Sequence, residues 1–358
     1  MLDVKGRNSG NSRVILSAKD LVIKFNLRGR VLTAIRGASL DVYDGESLAI
    51  VGESGSGKSV LTKSFIGLLD KNGWVDSGSV IYGGTDISKF KLEKDWLGIR
   101  GSQIAMVFQD PMTSLNPLMQ IGKQIREVIE LHRGIRGEEA RKLTYEILQD
   151  VGISDPVKRC RQYPHEFSGG MRQRVVIAIA IACRPRILIC DEPTTALDVT
   201  IQAQILQLMR NLQKKYKLTI IYITHDMGVV AKVADRVAVM YAGDIVEIGT
   251  TEEIFYDPKH PYTWALLSSL PQLGRKGKPL YSIKGTPPSL FNEITGDAFA
   301  PRNPAALKID FVEKPPYFPV SPTHSAKTWL LDPRAPSVEP PDAIKMIRQR
   351  WGSETYGG

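Results

Sequence analysis

Residues 47–69 read SLAIVGESGSGKSVLTKSFIGLL. Ser47 to Val51 is a short apolar run of the kind that forms a buried strand. Gly52 to Ser59 then matches G-x-x-x-x-G-K-[ST], and Leu61, Phe65, Leu68 and Leu69 recur at helical spacing. A glycine-rich loop between a strand and a helix can curl so that successive backbone N–H groups point inward at phosphate oxygens. The helix N-terminus adds partial positive charge. Gly52, Ser54, Gly55, Ser56 and Gly57 are therefore expected to cradle a polyphosphate. Lys58 brings a full charge to the outer phosphates, and the Ser59 hydroxyl is placed to ligate Mg2+.

Outward from this loop the composition is that of a soluble globular chain. Its 358 residues are 42% hydrophobic and 24% charged, enough for about two domains. The start, MLDVKGRNSGNSR, lacks the apolar core of a signal peptide. The longest apolar run, Val175 to Cys183, is nine residues, well short of the ~20 that a membrane helix needs. The net charge of +9 comes from scattered residues, which reads as a solvated basic surface with no nucleic-acid patch. Cys160, Cys183 and Cys190 show neither metal nor redox spacing and fit a reducing cytoplasm.

Upstream of the loop, Val14–Ser17, Leu21–Phe25 and Ala38–Val42, together with Ser47–Val51 itself, read as mostly antiparallel strands separated by turns at Arg28-Gly29 and Asp44-Gly45. Gly78–Tyr82 and Ile104–Phe108 are further strands. A helical insert follows, about 111–175, with apolar stripes at Ile121, Ile125, Val128 and Ile129 and at Ala140, Leu143, Ile147, Leu148 and Val151. The α/β alternation then resumes with Ile187–Cys190, the helical pattern from Ile201 to Leu212, and Ile220–Ile223, which implies a parallel sheet. Val237–Tyr241 and Ile245–Ile248 read as a hairpin. Beyond about Thr250 the pattern stops: fourteen of the 22 prolines fall between Pro271 and Pro341, predicting an irregular appendage.

Chemistry-bearing residues gather at strand ends. Four apolar residues followed by Asp191-Glu192 form a Walker B pattern, in which Asp191 holds Mg2+ and Glu192 orients or deprotonates the attacking water. Gln109 and His225 end two other strands, on the carboxyl edge where open α/β sheets bind ligands. Ser168, Gly169 and Gly170 open a helix with a hydroxyl and free N–H groups, a second anion site.

The loop at 52–59, Gln109, FSGGMRQR at 167–174, ILICDEP at 187–193, Thr195-Ala196-Leu197-Asp198 and His225 follow one another as in ABC-transporter ATPase subunits, which the chain resembles over most of residues 14–250. The resemblance implies a P-loop α/β domain with antiparallel and helical subdomains, acting as an ATPase on ATP with Mg2+. It implies that Ser168–Gly170 close on ATP held by a partner subunit and that Asp198 lies in the D-loop. Gln109 becomes the Q-loop residue, a further Mg2+ ligand, His225 the switch histidine, and Phe25 the aromatic that stacks on adenine. Gln109–Pro117, His260-Pro261-Tyr262-Thr263 and Ala298-Phe299-Ala300-Pro301-Arg302 are similar to oligopeptide and dipeptide importer ATPases, so residues 251–358 are expected to be a family-specific extension. Many such relatives carry four cysteines there, suited to an iron–sulfur cluster. Here the matching positions are Asp297, Asn303, Asp310 and Thr328, so no cluster is expected, a variant that resembles subunits of Gram-positive bacteria.

The implied partners are a second, distinct ATPase subunit, two transmembrane permease subunits and an extracellular peptide-binding lipoprotein, with this chain on the cytoplasmic face of the membrane. Dipeptide or nickel importers share the stretch Gln109–Pro117. The rival class, a soluble ATPase acting on nucleic acid or ribosomes, normally carries two cassettes or a long coiled coil, and neither is present.

Overall fold

A computed structural model describes residues 13–194, 197–270 and 283–347. Thr195 and Ala196 of the D-loop motif, and Pro271 and Pro279 of the proline-rich stretch, lie outside them.

The apolar run before the glycine loop is β3 (Ser47–Val51), every residue of it buried. It lies parallel between β8 (Thr219–Thr224) and β9 (Arg236–Tyr241). Beyond β8 the parallel run continues through β7 (Ile187–Asp191) to β6 (Ile104–Val107). In register, Ala49 faces Tyr222 and Leu188 faces Ile220. Because successive side chains leave a strand on opposite faces, these strands feed two cores. Leu48, Ile50, Ile189, Ile221 and Ile223 enter one, and Ala49, Val51, Cys190, Ile220 and Tyr222 the other.

The first core is closed by α1 (Lys58–Ser64), α2 (Glu93–Leu97) and an antiparallel sheet in the order β2-β1-β4-β5, with β1 Val14–Leu27, β2 Arg30–Tyr43, β4 Gly73–Tyr82 and β5 Thr85–Asp86. Ser47–Val51 is thus not part of the antiparallel sheet, as the sequence reading had it. The turn at Asp44-Gly45 carries the chain from one sheet to the other, and Gly45 takes the left-handed φ of +80° that this needs. The segments Val14–Ser17 and Leu21–Phe25 join into the single strand β1. Asp20 makes this possible: its φ is +46°, its N–H donates to Ser39 Oγ at 2.9 Å, and the pairing register slips between Ala18 and Leu21.

The second core is closed by α7 (Gly169–Ile181), α8 (Val199–Tyr216) and α9 (Met227–Val233). The helical insert packs on it through Ile121, Ile125 and Ile129 of α4 (Ile121–Arg133) and Ile147 and Leu148 of α5 (Gly137–Asp150), flanked by the short α3 (Pro111–Ser114) and α6 (Pro156–Arg159). α7 buries Val175, Val176, Ile177, Ala178 and Ile181 and accounts for most of the longest apolar run. Among the described residues no helix is long and apolar enough to cross a membrane.

The expected hairpin is β9 with β10 (Asp244–Thr250), paired antiparallel. The extension that follows begins with α10 (Thr251–Tyr256) and α11 (Pro261–Ser268) and then adds two short strands to the same sheet. β12 (Ser325–Ala326) pairs with β10 and β11 (Phe318–Pro319) with β12, so the full order is β11-β12-β10-β9-β3-β8-β7-β6. Buried charges fix this junction. Glu247 accepts from the N–H groups of Lys259 (2.6 Å) and His260 (3.1 Å) and is hydrogen-bonded to His324 Nε2 at 2.8 Å. Lys327 Nζ donates to both oxygens of Asp244, at 2.7 and 2.9 Å. The four positions matched to cysteines are buried, and each side chain accepts from a nearby backbone N–H: Asp297 from Phe299, Asn303 from Ala305, Asp310 from Leu307 and Thr328 from Leu330. Burial, with the neighbouring Asp297 charge, raises the pKa of Asp310, against the opposing pull of the Leu307 N–H and His260.

Candidate nucleotide site

The glycine loop turns between β3 and α1 at the carboxyl end of the parallel strands. Gly52, Gly55 and Gly57 have φ of +155°, +79° and +103°. Gly52 has no room for a side chain, since a Cβ would stand 2.1 Å from the Met240 carbonyl oxygen. Gly57 is the residue before α1, so the loop delivers the free N–H groups of that helix into its own cavity. Lys58 is 7% exposed, and its Nζ donates to the carbonyls of Gly52 and Glu53, both at 2.8 Å. Burial lowers its pKa, partly opposed by Glu192, Asp191 and Glu53. A polyphosphate would give this ammonium a stronger partner than two carbonyls.

Ser59 Oγ donates to Asp191 Oδ1 at 3.2 Å, which joins the loop to the end of β7. Burial raises the Asp191 pKa. The pair offers a hydroxyl and a carboxylate oxygen, hard donors that fit Mg2+ in a site that phosphate oxygens and water complete. Bound there, the ion would neutralise charge on the transferred phosphoryl group.

Glu192 sits one residue beyond β7 with φ of +46°, left-handed for a residue with a Cβ. Its N–H donates to the Ile223 carbonyl at 2.9 Å, which holds that backbone against β8. Backbone held in such a region concentrates at functional sites. The side chain is gripped from both sides. Gln109 Nε2 donates to Oε2 at 2.9 Å, and His225 Nδ1 lies 2.9 Å from Oε1. A carboxylate only accepts, so the His225 ring proton in this bond is on Nδ1. Three strand ends, those of β6, β7 and β8, thus converge on one carboxylate. That carboxylate can accept a proton from a water whose oxygen is aimed at a phosphorus held by the loop.

The remaining candidates lie apart from this cluster. Ser168 caps α7, accepting from the Met171 N–H at 3.3 Å, and is exposed with Gly169. Gly170 packs on Ile201 of α8, where a Cβ would come within 2.8 Å of the Ile201 side chain. Asp198 caps α8 through the Ile201 N–H at 2.9 Å and is exposed. Ser168, Gly169 and Asp198 are exposed, Gly170 is half-buried, and none of the four is hydrogen-bonded to residues 52–59. Phe25 is 8% exposed, its ring set against Gly73 of the adjacent strand, where a Cβ would come within 2.4 Å. It is packed in the core of the antiparallel sheet, so any stacking on adenine would use its rim.

Sequence reasoning missed the contacts behind the loop. The Glu53 N–H donates to Tyr262 Oη at 2.7 Å, and Arg302 grips the Glu53 carboxylate through both nitrogens, at 2.6 and 3.0 Å. The stretches holding Tyr262 and Arg302 stood out by resemblance, but neither periodicity nor spacing ties them to residue 53.

A parallel sheet with a glycine loop ahead of α1, a carboxylate at the end of β7 and a capped glycine pair opening α7 defines an ATP-binding cassette. The ABC transporter family matches residues 35–195, and the oligopeptide/dipeptide transporter C-terminal region matches residues 246–309. The chain is 59% identical over 337 residues to the oligopeptide transport ATP-binding protein AmiE of Streptococcus pneumoniae, covering 94% of this chain and 95% of that one. It is 58% identical to the Bacillus subtilis protein OppD, also an oligopeptide transport ATP-binding protein, over 92% and 93% of the two chains. With the dipeptide transport ATP-binding protein DppD of Lactococcus lactis the identity is 56%, over 94% and 97%. Among solved structures, a dimeric ATP-binding cassette in a post-hydrolysis state with ADP and Pi superposes with a TM-score of 0.58 at 28% identity, over 66% of this chain and 98% of that one. The chain belongs to the ABC transporter ATPases and, within them, to the ATP-binding proteins of oligopeptide and dipeptide transport.

Proposed function

We propose that this chain is the ATP-hydrolysing subunit that energises import of oligopeptides. The observation that carries this is the likeness to peptide-transport ATP-binding proteins along 94% of the chain, extension included. In this reading two ATPase subunits sandwich two ATP molecules, each between the 52–59 loop of one subunit and Ser168–Gly170 of the other. The exposure of Ser168 and Gly169 at the start of α7 supports it, because a second subunit's nucleotide can reach that helix N-terminus only where its own chain does not cover it. Closure adds a second set of phosphate contacts, so ATP binding favours the closed pair, and hydrolysis removes that preference.

Lys58 and the loop N–H groups bind the phosphates, Ser59, Gln109 and Asp191 hold Mg2+, and Glu192 directs the attacking water. Gln109 and His225 hold Glu192, Asp198 meets the partner, and Phe25 borders the adenine. The second ATPase is a distinct paralogue, and two permease subunits span the membrane. An extracellular lipoprotein delivers the peptide, this chain sits peripherally on the cytoplasmic face, and nucleic acid has no part.

The test is growth of an amino-acid auxotroph on peptides of two to about seven residues after deletion of the gene. Loss of growth on the longer peptides is expected. Unchanged growth on every peptide, with loss of nickel uptake instead, would overturn the proposal, and loss confined to dipeptides would move it to the dipeptide class.

A further inference from the structure

We infer that Arg302 and Tyr262, both from the C-terminal extension, are positioning residues for ATP: they hold Glu53 of the glycine loop from behind and neutralise its charge, so that the loop keeps its phosphate-binding shape. This rests on the assignment of ATP to residues 52–59.

Glu53 is held at three points, and each serves the loop differently. Its carbonyl accepts from Lys58 Nζ at 2.8 Å, its N–H donates to Tyr262 Oη at 2.7 Å, and its carboxylate takes the Arg302 fork at 2.6 and 3.0 Å. Arg302 is fixed in turn. Its Nε donates to the Lys284 carbonyl at 3.0 Å and its Nη1 to Tyr241 Oη at 3.2 Å, and the side chain is 4% exposed. Tyr262 is fully buried, in an aromatic cluster with Tyr241 (centroids 4.6 Å apart) and Phe299 (5.3 Å). The clamp therefore rests on packed groups from β9 and the extension, and a planar fork on a carboxylate admits little play. Hydrogen bonding to Glu53 raises the Arg302 pKa, so the guanidinium stays charged.

The charge matters as much as the shape. The loop binds an anion, yet it carries an anion of its own in Glu53, whose field already reaches the Lys58 ammonium. Without Arg302 that carboxylate would stand unpaired beside incoming phosphates. A unit charge about 10 Å away, at an effective dielectric near 20, shifts affinity by roughly tenfold.

The test is MgATP binding to the purified full chain, with thermal unfolding recorded in parallel. Arg302→Met is expected to weaken binding about tenfold. Glu53→Gln added to Arg302→Met is expected to restore most of that loss, because the unpaired charge goes with it. A purely structural role would leave the double variant no better. Tyr262→Phe keeps the packing and removes only the acceptor oxygen. It should raise KM for ATP severalfold with kcat nearly unchanged, and it decides the question if Arg302→Met does not fold. Wild-type ATP binding in folded Arg302→Met, a double variant as weak as Arg302→Met, or Tyr262→Phe with unaltered KM would each overturn the inference. Lys58→Ala separates the two levels: if it too binds ATP normally, the site assignment has failed and not the clamp alone.

Discussion

Replacing Glu192 by Gln is the sharpest test of the chemistry. The substitution keeps size and shape, and the contacts fix what should survive. The Gln109 amide can still donate to a carbonyl oxygen at the place of Oε2, and the new amide nitrogen faces His225 Nδ1, where the ring can shift its proton to Nε2 and accept. The backbone bond from residue 192 to the Ile223 carbonyl is untouched. The glycine loop, Lys58 and the Ser59–Asp191 pair are also unchanged, so ATP should bind as before. What is lost is the carboxylate as proton acceptor, worth roughly 10²–10⁴ in rate. At 1.36 kcal/mol per decade that is about 2.7–5.4 kcal/mol on the barrier. Single-turnover hydrolysis with saturating MgATP measures it, and gel filtration shows whether subunits then stay paired in ATP. Turnover within about threefold of wild type would refute the role of Glu192. Loss of ATP binding would refute the reasoning that geometry survives.

His225→Ala removes one grip on Glu192 while leaving that of Gln109, so hydrolysis should slow by less than in Glu192→Gln, with ATP affinity unchanged; an equal loss in the two variants would give His225 a chemical role of its own. Asp297, Asn303, Asp310 and Thr328 offer oxygen donors that already cap turns, so anaerobically purified protein should contain no stoichiometric iron and show no visible absorption band. Burial pushes the Glu253 carboxyl up, but hydrogen bonds from Ser321, Thr250 and Thr323 outweigh this and hold its pKa below the ordinary 4.5. The stability this gives is present above that value and drains away as pH falls through the folded pKa. The gap in Tm between wild type and Glu253→Gln should therefore narrow as pH drops below about 4.5, and a gap that stays constant would count against the bond set.

The sequence exposed what is local. The glycine loop is one contiguous motif between a strand and a helix, and Asp191-Glu192 ends an apolar run, so both announce their place. Gln109 and His225 could be set at strand ends, but their meeting on one carboxylate depends on the order β6-β7-β8, which strand patterns do not encode. Ser47–Val51 is a short apolar run that does not reveal its neighbours, so its place between β8 and β9 is not legible in the sequence. Arg302 and Glu53 are 249 residues apart, and only the folded extension brings them together. β11 and β12 are two residues each, too short to show any period. The buried charges of Asp244, Glu247 and Lys327 look in sequence like ordinary surface residues.

The pairing of β12 with β10 sets a limit on dissecting this chain. A fragment cut after Thr250 would keep every motif proposed to touch ATP, yet it would end on a strand bare along one edge, with unpaired N–H and C=O groups. It would also remove His324 from the Glu247 carboxylate and Lys327 from the Asp244 carboxylate. Such a fragment is expected to pair with its own copies in solution. The glycine-loop module and the extension therefore share one sheet, and a swap between relatives would have to exchange β10 together with the strand that covers it.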